Sequence, residues 1–247
     1  MSQCCRAEPC EEIFDAQTAA GDLDEYLAHG LGDLEDRMVA AIPTEAVSGA
    51  RRVLEIGGGI GAIQAELLLK GAAAGEVIEL VGAYEPYARR LATKLGLADR
   101  TSFRVADIIE DAVADDADVV VMNRVVCCSA DGVRLTGVAA GLARRVLALS
   151  YPRSLAILRW AERLQQPNAR LFRRRYRIYI HDSRAIHRAA TGTGLHLLSS
   201  WHGLFWEYSV FGRPDRAAAD DASARGSETP ARAQGRSPLA RKGRPPC

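Results

Sequence analysis

The nine residues Val53-Leu54-Glu55-Ile56-Gly57-Gly58-Gly59-Ile60-Gly61 constrain this chain more than any other stretch. A short apolar run ends in a cluster of glycines, and the segment after it, Ala62 to Lys70, suits a helix. The pattern predicts a buried strand, a tight turn and a helix that starts close to the strand end. Glycine serves such a turn because it reaches backbone conformations closed to other residues and has no Cβ to hold a ligand off. The helix start offers unpaired N–H groups and the positive end of the helix dipole to whatever rests on the turn. A nucleotide-like ligand meets these requirements.

Gly57, Gly59 and Ala62 satisfy the dinucleotide fingerprint G-x-G-x-x-G/A. Two details favour S-adenosylmethionine (SAM) over a nicotinamide dinucleotide. Glu55 stands two residues before the first glycine, where a carboxylate repels a pyrophosphate and attracts an ammonium and a sulfonium. The glycines also read G-x-G-x-G through Gly57, Gly59 and Gly61. A turn that binds nothing is the plainer alternative, but it leaves Glu55 at an inner strand end in need of another partner.

A chain of 247 residues, 48% hydrophobic and 26% charged, has the length and composition of one α/β domain with a full core. A formal net charge of +1 gives no general attraction to nucleic acid or an anionic membrane. No apolar run is long enough to span a bilayer, and Met1 to Pro9 lacks the apolar stretch of a secretory signal, so a cytoplasmic protein is expected. The six cysteines, at positions 4, 5, 10, 127, 128 and 247, fit neither a secreted disulfide framework nor a paired C-x-x-C zinc site. No metal is expected.

Along the chain, 10–42 reads as two helices forming a cap, with Asp22 as an N-cap and Glu25 three residues later. Strands are expected near 52–56, 77–84, 101–105, 117–122 and 145–150, and helices near 61–71, 86–96, 108–113 and 131–144. Runs such as Asp118-Val119-Val120-Val121-Met122 are continuously apolar, as strands covered on both faces must be. This alternation predicts a Rossmann-like, doubly wound parallel sheet with right-handed crossovers. Next come a helix over 153–165, a basic-aromatic run over 168–182, a helix near 183–192 and a strand pair near 195–201 and 204–211. One domain over 1–212 is expected. Residues 213–247, nearly empty of large apolar side chains, read as a disordered tail.

The string ending in Gly57, Gly59 and Gly61 resembles motif I of the class I SAM-dependent methyltransferases. The resemblance extends over about residues 10–212 and implies a seven-stranded sheet with a closing antiparallel pair. Further residues match that family's pattern at successive strand ends. It implies that Glu85, after Val81-Gly82-Ala83-Tyr84, binds the ribose hydroxyls. A helix-terminal acid is the other use of that position. It implies that Asp107 reaches the adenine amino group and that Ile108 packs on the ring, although Asp at a strand end is also a common turn residue. Asn123, at the end of the fourth strand, is expected at the crevice, in reach of cofactor or substrate.

A closer likeness is to small bacterial methyltransferase-domain proteins labelled magnesium-protoporphyrin O-methyltransferase-like. It rests on Phe14-Asp15…Asp22-Leu23…Tyr26, Arg124-Val125-Val126-Cys127-Cys128, Ser150-Tyr151-Pro152-Arg153 and Trp206-Glu207. Porphyrin methyltransferases carry a His after strand four where this chain has Cys128, which argues against a porphyrin acceptor.

Methyl transfer needs alignment more than it needs protein acid–base groups, so the acceptor is harder to read than the cofactor. Tyr26, Cys128 and His181 are the candidate catalytic groups, with packing roles as their alternatives. Arg124 could hold an acidic substrate or face solvent. The expected acceptor is a small molecule, partly aromatic or apolar, with or without a carboxylate, and not nucleic acid. Two other readings stay open. A nicotinamide-dependent oxidoreductase would need a hydride-transfer base pair, and the sparse lysines supply none. A non-catalytic SAM-binding protein would more naturally carry a degraded motif I.

Overall fold

A computed structural model describes residues 10–111, 114–154 and 177–213 of the protein. Seven strands carry the fold: β1 (Arg52–Ile56), β2 (Ala74–Glu79), β3 (Thr101–Val105), β4 (Ala117–Asn123), β5 (Ala143–Pro152), β6 (His196–His202) and β7 (Trp206–Gly212). They form one sheet in the order β3-β2-β1-β4-β5-β7-β6. Strands β1 to β5 are parallel, and β7 runs antiparallel to both β5 and β6. The expected doubly wound sheet and closing antiparallel pair are therefore present.

Helices α1 (Ala16–His29), α2 (Asp33–Ala40) and α3 (Thr44–Ser48) precede the sheet. The others are α4 (Ala62–Leu69), α5 (Glu85–Lys94), α6 (Gly132–Leu142) and α7 (Ser183–Thr191). Side-chain alternation along the strands decides the layers. Val53, Val119, Val121 and Val146 point to one face and pack with Leu23 of α1, Met38 of α2, Val47 of α3, Leu67 of α4 and Leu91 of α5. Leu54, Val120, Met122 and Leu147 point to the other and pack with Leu135 and Ala139 of α6 and Ile186 of α7. Both faces are covered, which is why Val53, Leu54 and Ile56 of β1 and Val119 to Met122 of β4 are all apolar. The N-terminal helices thus belong to the same core as α4 and α5.

The chain leaves β1 toward β2 on one side, and β4 lies on the other. This reversal opens a crevice at the strands' carboxyl ends, beside the glycine turn.

Several expected boundaries shift. Strand β2 runs over 74–79, not 77–84, because the chain leaves the sheet after Glu79 and coils into a 3-10 turn at Gly82–Tyr84. Helix α1 starts at Ala16, where the Asp15 side chain accepts the Thr18 N–H at 2.8 Å, so Asp22 is a mid-helix residue and not an N-cap. Residues 108–110 form a turn, not the start of a helix. The expected helix over 153–165, most of the basic-aromatic run and the tail beyond 213 lie outside the described residues. No helix among the described residues is long and apolar enough to cross a membrane.

Candidate functional site

A cleft of about 650 Å³ opens over the carboxyl ends of β1, β2 and β4. Its floor is the glycine turn. Gly57, Gly59 and Gly61 all have positive φ, at 63°, 55° and 76°. A Cβ on Gly57 would stand 2.4 Å from Val125 Cγ2, and one on Gly59 would stand 3.1 Å from the Tyr84 ring. Gly57 and Gly59 line the cleft, whereas Gly61 does not. Gly61 is the left-handed residue that starts α4, and a Cβ there would meet Val77 at 3.0 Å. Its conformation lets the helix seat closely on β2.

Two carboxylates are buried beneath this floor. Glu55, 2% exposed, accepts the Gln64 N–H at 2.8 Å, tying β1 to the first turn of α4. Burial pushes its carboxyl up to about 8, with the nearby Glu79 adding to the rise and the helix N–H groups opposing it. Glu79 ends β2 and accepts N–H bonds from Gly59 at 3.0 Å, Leu80 at 2.8 Å and Val81 at 3.1 Å. Burial raises its pKa too, against those three hydrogen bonds. Both acids line the cleft. Among the described residues lining it, the one Lys or Arg is Arg124. This environment disfavours a pyrophosphate and suits a cation.

Glu85 stands elsewhere. It is the first residue of α5, pairs with Arg89 one turn on at 2.6 Å, and does not line the cleft. The strand-end position expected for it belongs to Glu79, because β2 ends before the 3-10 turn. Asp107 and Ile108 do line the cleft. One Asp107 oxygen accepts the Ile109 N–H at 2.9 Å, and Ile108 is buried.

The wall formed by the end of β4 is cross-linked to the cap. Asn123 donates to Glu35 Oε1 at 3.0 Å and accepts from Ser150 Oγ at 2.6 Å. Arg124 pairs with the same Glu35 oxygen at 3.0 Å and lies over the Trp206 ring at 5.2 Å. Arg124 is also the one described non-glycine residue with positive φ, at 57°.

The three candidate catalytic groups have structural partners. Tyr26 lines the cleft, but its hydroxyl donates to Glu66 of α4 at 2.8 Å. Burial and that carboxylate push its pKa well above the usual range, so it is a poor base at neutral pH. Cys128 lines the cleft, and both its thiol and that of Cys127 donate to the Arg124 carbonyl, at 3.4 and 3.2 Å. The hydrogen bond with Cys128 and then burial raise the Cys127 pKa, keeping it a neutral thiol. His181 does not line the cleft. Its Nε2 donates to the Ser129 carbonyl at 2.9 Å, bracing the loop after β4.

Glu79, Glu35 and Tyr84 line the cleft and were not singled out in the sequence. Glu79 had a signal: a strand of six residues that starts after a short turn beyond the preceding helix, at Ala74, ends on it. Glu35 had none, since an acid in an N-terminal helix reads as solvated until its partners across the fold are known. Tyr84, whose hydroxyl donates to Asp22 at 3.0 Å, looked like a strand residue. Among the described residues no group of three or more His, Cys, Asp or Glu is placed to hold a metal.

No family model matches the chain, and no curated protein matches it in sequence. Solved structures do resemble it. An O-methyltransferase family protein from Burkholderia thailandensis superposes with a TM-score of 0.60 at 18% identity over 81% of this chain, which spans 60% of that protein. The magnesium protoporphyrin IX methyltransferase of Synechocystis PCC 6803, with bound SAM, gives 0.57 at 15% identity, over 84% of this chain and 90% of that one. The N-methyltransferase NodS from Bradyrhizobium japonicum WM9, in complex with S-adenosylhomocysteine (SAH), gives 0.56 at 15% identity, over 81% and 98%. At these identities the likeness speaks for the fold. With its strand order and the reversed β7, the chain has the fold of the class I SAM-dependent methyltransferases.

Proposed function

We propose that this protein is an enzyme that binds SAM in the glycine-turn cleft and transfers its methyl group to a small molecule. The observation that carries the reading is the pair of buried carboxylates, Glu55 and Glu79, beneath a turn whose glycines leave room for a ligand. A cationic cofactor lowers the cost of ionising Glu55, and a dinucleotide raises it. The solved neighbours with bound SAM and SAH support the same choice.

The residues present fit this cofactor. Glu79 Oε2 accepts one N–H, which leaves it acceptor capacity for a ribose hydroxyl. The ribose role thus passes from Glu85 to Glu79. Asp107 has one oxygen, Oδ2, with no hydrogen bond among those described, which suits an adenine amino group. Ile108 supplies apolar surface beside it. When bound, SAM supplies an electrophilic methyl group on a sulfonium. The chain's part is to orient the acceptor and exclude water. Tyr26, Cys127 and Cys128 are not placed as bases, because their protons are committed to Glu66 and to the Arg124 carbonyl. Phe14, Leu31 and Trp206 give the cleft apolar surface for an acceptor.

Calorimetric titration with SAM, SAH and NAD tests the cofactor. Binding of the first two and not the third is expected. NAD binding without SAM binding would favour the oxidoreductase reading. Incorporation of labelled methyl from SAM into a metabolite pool, compared with bulk RNA, DNA and protein, tests the acceptor class. Incorporation into a macromolecule alone would defeat the small-molecule reading, and tight SAM binding with no transfer to any pool would favour a non-catalytic binder.

A further inference from the structure

We infer that Arg124 is the specificity-determining residue of the acceptor site and that the acceptor carries a carboxylate, which this guanidinium holds. The inference rests on the methyl-transfer reading above, because it assigns the acceptor end of the same cleft.

The first observation is strain. Arg124 has φ of 57°, a conformation that costs an arginine about 1–2 kcal/mol and that glycine adopts freely. The surroundings hold it there. Its N–H donates to Ser150 Oγ at 3.0 Å, and its carbonyl accepts from the Cys127 and Cys128 thiols. A strained residue held this firmly at the rim of a cleft points to a side chain that the site needs.

The second observation is how the side chain is held. One face lies over Trp206 at 5.2 Å, and Nη2 meets Glu35 Oε1 at 3.0 Å. These two contacts fix the guanidinium plane. A guanidinium has five N–H donors, and among the described residues only the contact to Glu35 engages this one. The side chain is still 48% exposed and lines the cleft. An oriented guanidinium with donors to spare matches the two oxygens of a carboxylate.

Six acids line the cleft. Glu55 and Glu79 lie under the glycine turn, Asp107 accepts the Ile109 N–H, Asp22 accepts from Tyr84, Glu25 stands on α1, and Glu35 is the one paired with Arg124. Phe14, Leu31 and Trp206 line the same cleft, so the carboxylate belongs to an apolar or aromatic molecule.

The test uses the full chain saturated with SAH, after SAH binding has been measured alone. Benzoate, benzamide and benzylamine are titrated as probes of one shape and three charges. Benzoate is expected to bind at least about tenfold more tightly than either of the others, as for a charge-assisted pair. In Arg124→Lys, which can still pair with Glu35, benzoate affinity should fall about tenfold, with SAH affinity unchanged. Arg124→Gly should abolish the preference for benzoate while SAH still binds, which shows that the variant is folded. Equal binding of the three probes, or a preference for benzylamine, overturns the inference without any variant. Loss of SAH affinity in Arg124→Lys overturns it differently, by assigning the guanidinium to the cofactor. If SAH fails to bind at all while benzoate binding still depends on Arg124, the carboxylate site stands and the methyl-transfer reading falls.

Discussion

Replacing Glu55 with glutamine tests the electrostatics of the cleft, because the carboxyl is buried and its proton affinity differs between the folded and unfolded chain. Its pKa is 4.5 when exposed and about 8 in the fold. Between those values the unfolded chain has lost the proton and the folded chain retains it. The folded state therefore binds more protons, and stability falls as pH rises through this window. The contribution is fully present below pH 4.5 and exhausted above pH 8. Each pKa unit corresponds to about 1.4 kcal/mol, so three units of pH, from 5 to 8, remove up to about 4 kcal/mol at this site. Glutamine has nearly the same shape, can accept the Gln64 N–H through its oxygen, and does not titrate. Denaturant unfolding of both proteins at a series of pH values isolates the term. The difference in stability, parent minus variant, should decline by about 2–4 kcal/mol across that range, whatever other groups contribute to both curves. SAM should reduce the decline in the parent by stabilising the ionised carboxylate. Its binding near pH 7 should release part of a proton, visible as a dependence of the binding enthalpy on buffer ionisation. Parallel stability curves would refute the burial argument, and proton uptake on SAM binding would refute the cationic-ligand argument.

Glu79→Ala should weaken SAM binding by roughly ten- to a hundredfold, the loss of charge-assisted hydrogen bonds, while Glu85→Ala leaves it unchanged; the reverse order in a calorimetric comparison would return the ribose role to Glu85. Gly57→Ala combines a left-handed φ with a Cβ 2.4 Å from Val125, so about 2–5 kcal/mol of stability should be lost, and Gly59→Ala, whose Cβ would stand at the looser distance of 3.1 Å from the Tyr84 ring, should cost less in the same unfolding assay. Tyr26→Phe removes the hydroxyl that bonds Glu66 and should cost about 1 kcal/mol of stability with little change in the pH profile of methyl transfer; loss of a basic limb from that profile would make Tyr26 a catalytic base.

The elements that could be read directly are those whose signal is local. Val53 to Ile56 and Val119 to Met122 are apolar on both faces, so they had to be central strands, and Gly57 to Gly61 had to be a turn. The alternation with helices then left few topologies open, and the antiparallel ending followed from Gly203 between two short strands. Glu55 was legible as an acid facing the crevice, where the structure places it, because an ionisable group at an inner strand end has few other uses. Its raised proton affinity was not, since that depends on Glu79 and on the walls that exclude water.

Where a position depends on how one element ends against another, the residues alone pointed to a residue outside the cleft or to none. Glu85 was singled out and Glu79 passed over because the run from Val77 to Tyr84 reads as one strand; only the chain's departure into the 3-10 turn moves the strand end back. Tyr26, Cys128 and His181 look reactive by residue type, and the fold gives each a partner, Glu66, the Arg124 carbonyl and the Ser129 carbonyl. Glu35 and Arg124 are 89 residues apart in number yet share one hydrogen-bonded wall. The local sequence was enough for the sheet and its glycine turn, because periodicity and backbone sterics act within a few residues. The tertiary structure decided which carboxylates face the cleft and which polar groups remain free to bind, because burial and hydrogen bonding are set by contacts between segments distant in the chain.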